Sequence, residues 1–171
     1  MLKVQECHFP AQSVIQEELA EASFHDSYQV ISPSHNISPL EIYKAMVNNT
    51  PAWINMLLTI RNKTVNLLGL KDVGTLGKID LKDTAQESDL IGKHLDIFTI
   101  QSISENEMIV GENDKHLDVK LSILKICEKD KTKIIVSTML KEHNALGKVY
   151  MFFIKPFHRI ILKQLLSNLA L

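Results

Sequence analysis

The chain has 171 residues and a mass of 19.4 kDa, with 19 Lys and Arg against 20 Asp and Glu, a net charge of -1 and a pI of about 6.6. Hydrophobic residues at 45% and charged residues at 23% describe an ordinary globular protein and exclude a disordered, collagen-like or coiled-coil chain. A chain of this size buries roughly 70% of its extended surface, enough for a core without disulfides or a structural metal. One domain over residues 1–171 is expected.

The charge balance leaves no surplus of Lys and Arg to neutralise phosphates, so nucleic acid is not an expected partner. Cys7 and Cys127 are far apart and form no CxxC, which points to reduced thiols and a cytoplasmic protein. The segment Met1 to Cys7 lacks the apolar stretch of a secretion signal. Three matches to the glycosylation pattern, at Asn36, Asn48 and Asn62, therefore carry no meaning. The apolar run near the C-terminus stops at Lys155, too short for a membrane span.

Along the chain, Glu17 to Ala22 ends a short acidic helix whose Val14, Ile15, Leu19 and Ala22 recur at helical spacing. Phe24 to Ile31 reads as a strand, with Phe24, Asp26, Tyr28 and Val30 on one side. Ser38-Pro39-Leu40-Glu41 opens a helix: Ser38 caps it, Pro39 suits its first turn and Glu41 reaches back to the cap. Its buried stripe is Ile42, Tyr43, Met46 and Val47, and Asn48-Asn49 ends it. Thr50-Pro51 repeats the signal for a longer helix with Trp53, Met56, Leu57, Ile60, Thr64, Leu67 and Leu68 along one side and Gly69 as its stop. The stretch up to Leu90 is weakly patterned, with one strand expected near Leu76 to Leu81.

From Leu95 the period becomes two. Leu95–Ser104, Glu107–Gly111, Leu117–Cys127 and Thr132–His143 form four strands joined by turn-like links, which favours an antiparallel meander. The last segment, Leu146 to Leu169, is apolar at Val149, Phe153, Phe157, Ile160, Ile161, Leu165 and Leu169. Lys155, Arg159 and Lys163 stand opposite at four-residue steps, most simply as a solvated face, with phosphate or membrane contact the lesser reading. This helix spans about 36 Å, and Pro156 is expected to kink it.

The order of elements defines an α+β helix-grip fold: a curved antiparallel sheet wrapped around a long C-terminal helix, with two short helices after the first strand. A kinked helix does not fill a curved sheet, so a cavity for a small apolar or amphipathic ligand is expected between them.

Phe24-His25-Asp26-Ser27-Tyr28, Thr50-Pro51-Ala52-Trp53, Arg61-Asn62 and Leu68-Gly69-Leu70 resemble the first half of a bacterial domain-of-unknown-function family, numbered 2867. Gly111 to Asp118, His143 to Tyr150 and Ile154-Lys155-Pro156-Phe157-His158-Arg159 resemble its second half more specifically, so the likeness spans nearly the whole chain. That family is in turn similar to the polyketide-cyclase and lipid-transfer helix-grip superfamily. The resemblance implies the same fold and assigns no activity and no catalytic residue. It also implies about seven strands, against the five or six legible here.

For chemistry, Asp114, His116 and Asp118 fall on one side of an extended chain, where carboxylates can orient an imidazole or ligate a metal; a polar hairpin is the plainer reading. His143, Tyr150 and His158 bracket the start of the last helix, either as polar handles or as groups fixing the corner with Asn144 as its cap. Trp53 on an apolar stripe is more often core than ligand platform. The glycines from Gly69 to Gly74 have phosphate-loop spacing, but Thr75 stands where Lys is required, and GxGxxG, GxSxG and HExxH are absent. No cofactor and no metal are expected.

The principal expectation is a binding protein in which Tyr28, Trp53, His116, Thr138, His143, Tyr150 and His158 contact the ligand. The alternatives are an enzyme using one of these histidines as acid or base, and a protein-interaction module with an open sheet edge or Met-rich helix.

Overall fold

Period-two patterning becomes one antiparallel sheet because short links join its strands. The computed structural model describes residues 2–33, 37–67, 87–95 and 97–169, of which 61–67 and 87–88 are described by backbone alone. The strands are β1 (Gln5–Glu6), β2 (Phe24–Ser32), β3 (His94–Leu95), β4 (Phe98–Ile103), β5 (Glu107–Asn113), β6 (Leu117–Glu128) and β7 (Lys131–Glu142). They form a seven-stranded curved sheet in the order β1-β2-β7-β6-β5-β4-β3, every pairing antiparallel. A register shift between Ile100 and Ser102 lets β4 bend against β5. Among the described residues the two edge strands are each two residues long.

The two extra strands come from places where pattern is weakest. β1 is too short to show alternation. The single strand expected over Leu95–Ser104 is two, because the chain folds back so that Leu95 pairs with Phe98 and His94 with Thr99. The strand expected near Leu76–Leu81, and the Gly69 stop, lie outside the described residues.

Helix α1 (Pro39–Asn48) begins as its capping residues require: Ser38 Oγ accepts from Glu41 N at 3.2 Å, and Glu41 Oε2 accepts from Ser38 N at 2.8 Å. Such a box contributes about 1 kcal/mol. Ile42, Tyr43, Met46 and Val47 are buried. Helix α2 (Ala52–Leu67) follows, and α3 (Ala145–Ser167) closes the chain with Pro156 inside its continuous span. The acidic segment near residue 20 is a 3-10 helix, Gln16–Glu21.

The inner sheet face carries Tyr28, Val30, Ile134, Val136, Ile123, Met108 and Val110, which share one core with α1 and with Leu162, Leu165 and Leu166 of α3. Each fully buried Ile, Leu or Val contributes about 2 kcal/mol. On the outer face, Ile15 packs with Ile109 and Met139, with Phe9 and Leu19 beside them. That flap is pinned by Glu107, buried among the strands, which accepts from Ser13 Oγ at 2.6 Å, Val14 N at 2.8 Å and Ser122 Oγ at 2.5 Å. Lys120–Glu18 and Lys141–Glu21 ion pairs add surface tethers; the latter holds the Glu21 carboxyl below, and the Lys141 ammonium above, its ordinary range through hydrogen bonding and charge.

Leu165 and Leu169 are buried as expected, but α2 and the first half of α3 face the core differently from the expectation. Among residues 52–60 of α2, the part whose side chains are described, Ile54 is buried, while Trp53, Met56 and Ile60 are exposed. In α3 the buried residues are Gly147, Met151, Leu162, Leu165 and Leu166, while Val149, Phe153, Phe157 and Ile160 are exposed. Each helix is apolar over much more than the stripe a core requires, so periodicity does not decide which side turns inward.

Candidate functional site

A row of cross-strand partners builds the floor of a cavity. Phe24 pairs with Leu140 and Leu140 with Val119; one step along, Asp26 pairs with Thr138 and Thr138 with Leu121. Alternation points these residues to the face covered by α3. Between that floor and the helices lies a cavity of about 660 Å³, within the usual span for small-molecule sites. Tyr43 and Met46 of α1, Ile54 and Leu57 of α2, and Ile154, Phe157 and Ile161 of α3 line it, with Leu117, Val119, Leu121 and Leu140 from the sheet. Glu112, Asp114, His116, Thr138, Tyr150 and His158 add polar side chains to the wall, beside Tyr43, whose hydroxyl donates to Leu95 O.

The polar centre is at His158. Its Nε2 is 2.9 Å from Thr138 Oγ1 and 3.5 Å from Asp26 Oδ1. Asp26 has 2% of its side chain exposed, and His158 is its ion-pair partner among the described residues. Both Asp26 oxygens are buried without a hydrogen bond among the described residues, so the 3.5 Å approach of His158 is a charge contact, and a proton on Nε2 is the arrangement that favours it. Thr138 and Asp26 meet the same ring nitrogen, so they do not form a nucleophile–base–carboxylate relay, which needs both nitrogens. Nδ1 is the ring nitrogen without a protein partner among the described residues. Phe24 packs edge-on against the imidazole with ring centroids 6.2 Å apart, and Lys155 and Arg159 lie over the Phe24 ring.

The corner entering α3 uses the other histidines. Asn144 caps the helix by accepting from Gly147 N at 3.1 Å, and its Nδ2 donates to Lys115 O at 3.1 Å and lies 3.0 Å from His116 Nδ1. The His116 carbonyl accepts from His143 N at 2.9 Å. The His116 ring borders the cavity, yet its Nε2 is buried without a hydrogen bond. His143 is outside the cavity wall and pairs with Asp118 Oδ2 at 2.9 Å. Asp118 is on the outer face beside Lys120 and Lys141, so Asp114, His116 and Asp118 do not share one side. The alternation starts only at Leu117, after a turn at Lys115–His116.

Of the seven residues singled out from sequence, the structure brings His116, Thr138, Tyr150 and His158 to the cavity wall. Tyr28 is fully buried behind it, Trp53 sits on the outer side of α2, and His143 is at the surface corner. Burial pushes the Tyr28 phenol up to about 12, aided by the negative charge of Asp26. Asp26 was the signal left unused: a lone acid among Phe24, Tyr28 and Val30 on an inward strand face has to be answered by a partner. Among the described residues no three His, Cys, Asp or Glu side chains converge to hold a metal. Among them also, no helix is long and apolar enough to cross a membrane.

A seven-stranded antiparallel sheet gripping a C-terminal helix over an apolar cavity defines an α+β helix-grip protein. Residues 19–165 match the family described as "Protein of unknown function (DUF2867)", and the chain belongs to that family. No curated protein and no solved structure matches the chain.

Proposed function

We propose that the protein, acting as one domain, binds a small apolar or amphipathic molecule in the cavity beneath α3. The observation that carries this reading is a cavity of about 660 Å³ whose wall is mainly apolar, with Thr138 and His158 in its middle and Glu112, Asp114 and His116 at the end beside the corner into α3. The apolar body of the ligand displaces water from Val119, Leu121, Leu140 and Ile161, and its polar end meets His158. The unpaired Cys7 and Cys127 suit a reducing, cytoplasmic setting.

Native mass spectrometry of freshly purified protein, followed by titration with a fluorescent fatty acid, tests the reading. Leu121→Trp, which fills the cavity floor, should abolish binding in a variant that keeps its circular dichroism spectrum. Equal binding by both proteins would remove the cavity from consideration.

A second reading rests on the buried Asp26 beside His158: a carboxylate that holds an imidazole at a cavity wall can poise it as an acid or base. Under this reading His158→Gln stops turnover of a bound compound while its affinity changes by about twofold or less.

A further inference from the structure

Helix α3 carries Lys148, Lys155, Arg159 and Lys163 and no acidic residue in its 23 positions. The rest of the chain is left with 15 basic residues against 20 acidic ones, so α3 is a cationic rod on an otherwise acidic protein. The same helix presents Val149, Phe152, Phe153, Phe157 and Ile160 to solvent, with Phe152 at 75% and Phe153 at 63% exposure. At 100° per residue, Val149, Phe153, Phe157 and Ile160 form one stripe, and the cations form the neighbouring one with Phe152 set among them.

Side chains of that size and exposure, gathered on one helix, are not a scatter of isolated surface apolar residues. The stripe is continuous with the cavity, since Val149, Phe153 and Phe157 belong to its wall while being exposed. Across α2, Trp53 and Met56 are exposed as well.

We infer that this face of α3 docks on an anionic phospholipid surface, with the Phe152–Phe153 edge entering the headgroup region and Lys148 meeting the lipid charges first, while Lys155, paired with Glu142 at 3.7 Å, and Arg159 and Lys163, stacked on Phe24 and Tyr28, add their charge from the rim. The combination is that of an interfacial amphipathic helix: apolar area supplies insertion, and each Lys or Arg near the surface adds attraction that salt screens. A bilayer satisfies both stripes at once, whereas a solvated helix leaves the phenylalanines in water. Docking this way brings the cavity mouth against the lipid. The inference stands whether or not the cavity holds a ligand, because it rests on exposed surface and not on what fills the interior.

Flotation with vesicles of pure phosphatidylcholine, and of phosphatidylcholine mixed with phosphatidylglycerol, tests it on the full chain. The expected result is at least about tenfold more protein on the anionic vesicles, falling with added salt. Lys148→Glu and Phe152→Ser, both at exposed positions, should each lower vesicle binding by about fivefold or more without altering the circular dichroism spectrum or fluorescent fatty-acid affinity. No binding to anionic vesicles, or binding indifferent to these substitutions, overturns the inference. So does light scattering that shows a dimer converted to monomer by Phe152→Ser together with no vesicle binding, which would assign the face to a second copy of the chain.

Discussion

His158 of α3 and Asp26 of β2 face each other across the sheet–helix interface, Nε2 to Oδ1 at 3.5 Å, with the carboxylate almost wholly shut from solvent. A charge buried to that degree needs an opposite one, and the pair ties the middle of the long helix to the floor beneath it. Replacing His158 by Leu strands the carboxylate and should destabilise the protein by about 3 kcal/mol in urea unfolding. The double variant Asp26→Asn, His158→Leu should lose less than the two single changes added together. Strict additivity would show that the two side chains do not interact.

Glu107 holds the outer flap as His158 holds α3 to the inner face. It collects the hydroxyls of Ser13 and Ser122 and the amide of Val14, so Glu107→Ala leaves three donors without their acceptor. A loss of about 3 kcal/mol is expected, with Ser13→Ala and Ser122→Ala each costing about 1 kcal/mol. Proteolysis of residues 7–22 should accelerate in Glu107→Ala; unchanged cleavage would mean the flap is held by its apolar contacts alone.

Alkaline pH should act through Tyr28. Its phenol ionises at about 12 in the folded protein against 10.0 ordinarily, because burial and the Asp26 carboxylate disfavour the phenolate. Between those values the unfolded chain has released the proton and the folded chain has kept it, so stability falls as pH rises from about 10 to about 12. Thermal melts across that window should show a steep decline that Tyr28→Phe makes shallower. An identical alkaline limb in the variant would contradict the assignment.

Gly147 sits in the first turn of α3, where a Cβ would come 2.3 Å from the His116 carbonyl oxygen. Alanine ordinarily gains about 1 kcal/mol over glycine in a helix. Here a backbone oxygen blocks it, and that oxygen already accepts from His143 N. Gly147→Ala should therefore be net destabilising by about 1–2 kcal/mol, read from denaturant midpoints. A stabilised variant would show that the corner yields freely.

The helix caps and strand ladders were legible because they are local. Ser38 and Glu41 satisfy each other within one turn, Asn144 caps α3 three residues away, and Leu117 to Ile123 alternates along its own strand. β1 was not legible, since two residues show no period, and neither was the turn that splits β3 from β4. Sequence pattern picks out His116, Thr138, Tyr150 and His158 of the cavity wall, while Asp26, which contacts His158 from outside the wall, is marked only by its inward position on β2.

Sequence by itself determined the longer elements, their order and the antiparallel meander from β4 to β7, because hydrogen-bonded ladders and short links depend on neighbours along the chain. It also determined that α2 and α3 are apolar beyond what one buried face needs. Only the tertiary structure decided which side of each helix turns inward. Ile54 rather than Trp53, and Leu162 and Leu166 rather than Val149 and Phe153, meet the core, since contact with Tyr28, Val30 and Val136 is made by packing across the sheet and leaves no mark on helical spacing.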